Sequence, residues 1–215
     1  MTKFFLDFFF PLHCLACGAE GHLACPTCRR KIPPAEQPEV LTRAKIWARA
    51  DYRDPLASEL VRALKYRGWK VAAMEMAEIM LNQLPLDLDQ TPADKIILVP
   101  APLSTWRRLG RGYNQAELIA KALARLAPER FELGTGLVKK IRHTKSQVEI
   151  KERSKRLVNL IDAFTYTTRG RRLARGWCIL LIDDVTTTGA TFIELKKLFH
   201  TAEAKKIICW AFAHG

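Results

Sequence analysis

Apolar positions along this chain fall into two rhythms: short unbroken runs, and longer segments with an apolar residue every third or fourth position. Ile179 to Ile182 is an unbroken β-branched and leucine run, as expected of a strand buried on both faces of a parallel sheet. A helical pattern from Phe192 to Phe199 follows it. Upstream, Lys45 to Tyr52 alternates as a strand does. Asp54-Pro55 then supplies an N-cap and a first-turn proline, and predicts a helix to about Tyr66, with Leu56, Leu60, Ala63 and Leu64 on one face and Gly68 closing it. A second helix, about Lys70 to Leu84, is apolar on most faces and should be buried. Leu86 to Asp94 reads as a loop and Lys95 to Val99 as a strand stopped by Pro100-Ala101-Pro102-Leu103. A helix from about Asn114 to Leu126, strands at Ala163 to Thr167 and Ile207 to Ala213, and a basic turn from Thr168 to Gly176 complete the series. The alternation predicts an α/β fold with a mostly parallel sheet. Ligands of such sheets bind beyond the carboxyl ends of the strands, where both Pro100 and Asp183 fall.

Composition adds a second unit. The chain has 215 residues and is 48% hydrophobic, which suits one domain of roughly 150 to 180 residues with a small appendage. Cys14-Leu15-Ala16-Cys17 and Cys25-Pro26-Thr27-Cys28 are two C-x2-C pairs separated by seven residues. Two such knuckles together make a tetrahedral four-sulfur site, for which structural zinc is favoured over iron. A disulfide pair is the weaker alternative in a chain without a secretion signal. So short a unit buries no core of its own, so the metal must hold it together. His13 and His22 lie nearby as outer groups, and Cys178 and Cys209 read as small buried hydrophobes. Arg29 to Pro38, with three prolines, reads as a linker. This gives a zinc-binding element with its linker over 1–38 and a main domain over 39–215. Phe4 to Leu12 is too short to span a membrane and contains Asp7. It is expected to pack onto its own protein, with an interfacial anchor as the less favoured alternative; stable membrane insertion is not expected, and the location is expected to be cytoplasmic.

The central run carries the chemistry. Asp183 and Asp184 sit where the strand is expected to end, and Val185, Thr186, Thr187, Thr188, Gly189, Ala190 and Thr191 lead into a helix. Free backbone N–H groups at a helix start, with threonine hydroxyls and a glycine for close approach, form a phosphate cradle. No lysine follows the glycine, so this is not a Walker loop. Two carboxylates repel a bare anion, and more plausibly grip neutral hydroxyls attached to one. A ribose 5-phosphate offers both parts. The stretch resembles the phosphoribosyl-pyrophosphate (PRPP) motif of type I phosphoribosyltransferases: four apolar residues, two acids, then a threonine- and glycine-rich loop.

Charge sharpens the picture. The formal net charge is +13, and Pro100 to Arg175 holds 18 Lys and Arg against 6 Asp and Glu, an excess of 12. A polyanionic partner is implied: PRPP is one candidate and nucleic acid another, with a merely solvated basic face as the alternative. Arg107, Arg108 and Arg111 follow the Pro100 turn, where guanidinium forks suit bidentate phosphate contacts. Lys139 to Arg156 is basic and polar, including Arg142, His143, Thr144, Lys145 and Gln147. That is the composition of a lid that orders over an anionic ligand, or of an exposed basic loop.

Several blocks occur in one order: the four-cysteine unit, Leu64-Lys65-Tyr66-Arg67-Gly68, Val99-Pro100-Ala101-Pro102-Leu103, Arg111-Gly112-Tyr113-Asn114-Gln115-Ala116-Glu117, and Asp183 through Thr191. Over nearly its whole length the chain resembles the competence-protein-F (ComF) family. The resemblance implies a zinc element on a type I phosphoribosyltransferase-like sheet with flanking helices, in a protein linked to DNA uptake. It implies that Asp183 and Asp184 hold the ribose hydroxyls and that Thr187, Thr188, Gly189, Ala190 and Thr191 cradle the 5-phosphate. Pro100, Ala101 and Pro102 would form the pyrophosphate loop with a non-proline cis bond, Arg107 and Arg108 would add phosphate contacts, and Arg142 to Gln147 would lie in the lid. The implied activity is transfer of phosphoribose from PRPP, with Mg²⁺, to an acceptor the sequence does not name. The competing expectation is a non-catalytic PRPP sensor that binds single-stranded DNA and a helicase-like uptake ATPase. One departure from the family pattern stands out: Glu203 occupies a position where many relatives have glycine.

Overall fold

The computed structural model describes residues 11–91, 96–103, 109–141 and 163–215. Phe4 to Phe10, Lys95, Arg107, Arg108 and the expected lid residues Arg142 to Gln147 lie outside the described residues.

Five parallel strands form the main sheet in the order β1 (Ile46–Asp51), β7 (Lys206–His214), β6 (Cys178–Thr186), β2 (Ile96–Pro100) and β3 (Phe131–Leu133). β6 is central, and Ile179 to Ile182 are fully buried, as an all-apolar run in a doubly covered strand requires. One face of the sheet packs against α3 (Pro55–Tyr66), α4 (Ala72–Leu81) and α6 (Gln115–Leu126). The other packs against α2 (Glu39–Arg43) and α8 (Ala190–Thr201).

The strongest local signals in the sequence are realised closely. Asp54 caps α3, its Oδ1 accepting the Ala57 N–H at 2.8 Å, and Pro55 opens the helix. Asn114 caps α6 by accepting the Ala116 N–H at 3.1 Å. α4 is shorter than expected but buries seven of its ten residues.

Other expectations need correction. Leu86 to Asp94 is not all loop: Leu86–Asp89 forms a short helix, α5, that buries Leu88. Thr168 to Gly176 is not a turn: Thr168–Ala174 is helix α7, capped by the Thr167 hydroxyl accepting the Gly170 N–H at 3.2 Å. The strand at Phe164–Tyr166, β5, lies outside the parallel sheet. It pairs antiparallel with β4 (Val138–Lys140), where the basic segment begins. β6 does not end at the acids, because pairing with β7 continues through Asp183, Val185 and Thr186. Among the described residues there is no cis peptide bond, so the Pro100-Ala101-Pro102 segment is trans. Cys209 is buried as expected, whereas Cys178, at the start of β6, is only half-buried.

The cysteine segment sits directly on the helical face. Leu23, Ala24 and Ile32 are buried in the same core as α3 and α4. Residues 30–38 make specific contacts: Pro34 bridges Ala50, and the Ala35 N–H donates to the Arg49 carbonyl at 3.3 Å. A charged cluster fixes the junction. Arg29, in α1 (Pro26–Arg29), pairs with Glu78 and lies 3.4 Å from Glu75, whose Oε1 also accepts the Leu23 N–H at 3.3 Å. Glu75 is itself buried, and buried carboxylates persist only when paired.

Candidate functional site

The parallel arrangement brings the C-terminal ends of β2 and β6 side by side. Pro100 pairs with Ile182, and the Ala101 N–H donates to the Ile182 carbonyl at 2.8 Å. The Pro-Ala-Pro segment therefore starts immediately beside the acids. Asn114 joins the third block to these two: its Nδ2 donates to the Ala101 carbonyl at 2.9 Å while its Oδ1 caps α6. Tyr113 reaches the fourth, its hydroxyl donating to the Leu64 carbonyl near the end of α3. Four blocks far apart in the sequence, between Leu64 and Thr191, thus meet at the carboxyl end of the sheet.

Each acid commits one oxygen to the backbone. Asp183 Oδ1 accepts the Asp184 N–H at 2.9 Å, and Asp184 Oδ1 accepts the Val185 N–H at 2.7 Å. Among the described residues the second oxygen of each has no backbone donor. Asp184 follows Leu180 and Ile182 on the face turned to α3, and from there Lys65 reaches it with Nζ 3.1 Å from Oδ1. The contact is largely shielded, with side-chain exposures of 19% for Lys65 and 10% for Asp184. Burial, then the charge of Asp184, push the Asp183 carboxyl well above the carboxylate range, to about 8; Lys65 opposes that rise. Burial works against the Lys65 ammonium, but Asp184 and Asp183 together outweigh it and hold its pKa above the ordinary lysine value. Lys65 lies in the Leu64 to Gly68 block, but the sequence assigns it no role of its own. Its partner lies far along the chain, and a lysine near a helix end is usually a solvated C-terminal charge.

After β6 the chain turns through Thr187 and Thr188 into α8. Gly189 has φ +73°, and a Cβ there would lie 2.6 Å from Ile46 Cδ1. The glycine is therefore needed by the left-handed turn and by the core beneath it. Thr188 Oγ1 accepts the Ala190 N–H at 3.4 Å. The Thr187 hydroxyl is buried with no hydrogen-bond partner among the described residues, as is Gln115 Nε2 at the start of α6. Orphaned buried polar atoms in native proteins call for an explanation, and a bound polar ligand is one.

Beside the site, the last residue of α3, Tyr66 (67%), and Trp69 (42%) in the turn after it are exposed. Arg67 lies over Trp69, Arg111 over Tyr66 and Lys70 over Tyr113, at 5.3–5.6 Å from the ring centres.

Cys14, Cys17, Cys25 and Cys28 come together, all four Sγ atoms lying within 4.8 Å of one another. Cys17 and Cys25 sulfurs are 3.7 Å apart, close to the roughly 3.8 Å edge of a tetrahedron with metal–sulfur bonds near 2.3 Å. Gly18 (φ +76°) makes the first knuckle turn, with its N–H on the Cys14 carbonyl at 2.8 Å. Burial raises the Cys14 thiol, but N–H donors from Cys25, Ala16 and Cys17 prevail and lower it to about 6, so it readily supplies a thiolate. The cluster fits one tetrahedral metal ion. The histidines stand apart from it: His13 Nδ1 lies 3.2 Å from the Gly18 carbonyl oxygen and His22 Nδ1 3.5 Å from Glu75.

A parallel α/β sheet with an acid pair and threonine loop at the carboxyl end of its central strand, together with this cysteine element, defines a type I phosphoribosyltransferase-like fold with an N-terminal zinc-ribbon-like unit. The chain belongs to the ComF family. It is 31% identical over 202 residues to Competence protein ComFC of Bacillus subtilis, covering 83% of this chain and 73% of that one. Competence protein F of Haemophilus influenzae is 28% identical over 213 residues (94% and 85% of the two chains), and DNA utilization protein YhgH of Escherichia coli K12 is 28% identical over 204 (92% and 82%). No family model matches the chain. Among solved structures, the hypoxanthine phosphoribosyl transferase of Trypanosoma cruzi aligns over 68% of this chain and 73% of its own, with TM-score 0.36 and 9% identity. The hypoxanthine-guanine phosphoribosyltransferase of Schistosoma mansoni aligns over 68% and 65%, with TM-score 0.31 and 13% identity.

Proposed function

We propose that this chain binds PRPP as its Mg²⁺ complex at the carboxyl ends of β2 and β6, and transfers phosphoribose to an acceptor with release of pyrophosphate. The observation that carries this reading is the convergence of Asp183, Asp184, the Pro100–Pro102 segment and the Thr187 to Thr191 turn, with the Thr187 hydroxyl buried and without a partner among the described residues. Asp183 and Asp184 accept hydrogen bonds from the ribose hydroxyls. Thr187, Thr188, Gly189, Ala190 and Thr191 present hydroxyls and helix N-terminal N–H groups to the 5-phosphate. Pro100, Ala101 and Pro102 face the pyrophosphate, with Arg107 and Arg108 as further contacts. As the bond from C1 to pyrophosphate breaks, positive charge grows on the ribose ring, and the nearby carboxylates stabilise it. Mg²⁺ bound to the substrate would supply positive charge at the leaving group. Arg142 and Gln147, outside the described residues, are assigned by the family resemblance alone, which expects them to help exclude water. Zinc in the four-cysteine cluster is the structural metal of this reading.

A second reading has its own support. The relatives carry names in competence and DNA utilization, and the Tyr66–Trp69 turn offers exposed rings interleaved with cations, as single-strand binders do. On this reading the chain is a PRPP-sensing accessory of DNA uptake that binds single-stranded DNA and works with a helicase-like ATPase. The readings part on two assays. Pyrophosphate release in an acceptor screen supports transfer; DNA affinity that falls steeply with salt, without turnover, supports the accessory.

A further inference from the structure

Two adjacent carboxyls in a half-buried site repel one another, and the structure supplies a specific remedy. Lys65 is the penultimate residue of α3, and the end of that helix is pinned. The Tyr113 hydroxyl donates to the Leu64 carbonyl, Gly68 adopts φ +73°, and the Trp69 N–H donates to the Ala63 carbonyl at 3.1 Å. The ammonium is therefore delivered by a fixed helix terminus to Asp184, 3.1 Å away. The surroundings add no other cation in contact with the pair among the described residues. β2 brings Pro100, and β7 brings Ala211 and Ala213 alongside. His214, at the end of β7, lies 3.2 Å from the Thr187 carbonyl oxygen. On α6, Glu117 pairs with Lys121, and Arg111 before it donates to Gln115. On α8, Glu194 pairs with Lys197. Tyr66, next to Lys65, is largely exposed.

We propose that Lys65 is a positioning residue for the acid pair: it holds Asp184 in place as an acceptor and leaves Asp183 as the acid that exchanges a proton when ribose hydroxyls bind. This rests on the PRPP reading above. Two interacting carboxyls titrate as a pair, and a cation held against one of them favours the state in which both are ionised. The high position of the Asp183 carboxyl, which Lys65 restrains, agrees with this arrangement. Hydroxyls that donate to both acids draw on the doubly ionised state, so binding below the pair's upper midpoint releases the Asp183 proton to solvent.

The test has two arms on the full chain, each with Lys65→Met and Lys65→Arg. The first follows ¹³C carboxyl signals of labelled aspartate against pH, without PRPP. The upper midpoint of the pair should rise by about one unit or more in Lys65→Met and stay near wild type in Lys65→Arg. An unmoved midpoint in a Lys65→Met protein with wild-type circular dichroism overturns the proposal. The second arm measures Mg²⁺–PRPP affinity from pH 6 to 9.5. Lys65→Met should lose roughly tenfold at pH 7 and recover part of that at pH 9.5. A loss equal at every pH would reveal a purely structural role and also overturns it. Absence of PRPP binding in the wild type sinks the ligand reading instead, while the carboxyl signals still decide whether Lys65 sets the charge of the pair. Should Lys65→Met fail to fold, Lys65→Gln repeats both arms, with Lys65→Arg as the charge-retaining control.

Discussion

Burial and the adjacent Asp184 hold the Asp183 carboxyl near pH 8, so the folded chain keeps a proton that the unfolded chain loses near pH 4. That proton favours folding fully below about pH 4, and its contribution is lost as pH rises toward about 8. Asp183→Asn removes the dependence while keeping an oxygen for the Asp184 N–H. Its stability should match wild type near pH 4.5 and exceed it by about 2 kcal/mol at pH 8, after allowing for partial exposure. Urea unfolding at the two pH values checks this, and a gain independent of pH would contradict it. Glu203 offers a second residue-scale test. It follows the end of α8 with φ +57°, where a glycine is at ease and glutamate is strained. Its ion pair with Arg175 is exposed on both sides and contributes little. Glu203→Gly should stabilise the chain by about 0.5–1 kcal/mol in thermal unfolding. The sequence points to this position only through the family resemblance, which expects glycine where the helix ends. Lys65 could not be read, because its meaning depends on tertiary distance.

At the scale of elements, the cysteine unit is the piece with the least core of its own. Its apolar contribution, Leu23, Ala24 and Ile32, is buried only against α3 and α4, and Arg29, directly after Cys28, reaches Glu75 and Glu78 of α4. The metal cluster and this charged junction should therefore loosen together. Cys25→Ser should release the metal and speed hydrogen exchange at the Leu23 N–H and along the first turns of α4, with the β6 core unaffected. Full metal content by elemental analysis would rule out a four-thiolate site. The strongly signalled elements (α3, α6, α8, β1, β6 and β7) were legible because caps, prolines and buried runs are local. α5 and α7 were missed because each is only one or two turns long. β5 reads as a strand, but nothing in its three residues says that its partner is β4, antiparallel, rather than the main sheet.

For the whole molecule, the order of the sequence blocks becomes an arrangement in space only through the parallel sheet. The acid pair, the Pro-Ala-Pro segment and the threonine turn were each visible as chemistry. Their adjacency comes from β2 lying beside β6, and Asn114 and Tyr113 tie α6 and α3 to that edge. The pairing of β6 beyond the acids could not be seen, because carboxylates are poor strand formers and the sequence gives no hint of the partner strand's length. Among the described residues no helix is long and apolar enough to cross a membrane. The excess charge of the middle segment is matched to a polyanion on either functional reading.

The most direct test of that reading is calorimetric titration of the metal-loaded protein with Mg²⁺–PRPP, with Asp183→Asn/Asp184→Asn as the control. The wild type should bind saturably and the double variant should lose about a hundredfold or more in affinity, with its circular dichroism unchanged from the wild type. Equal affinity in the two proteins would contradict the ribose-gripping role of the acids, and no binding to the folded wild type would contradict a PRPP site at this sheet edge.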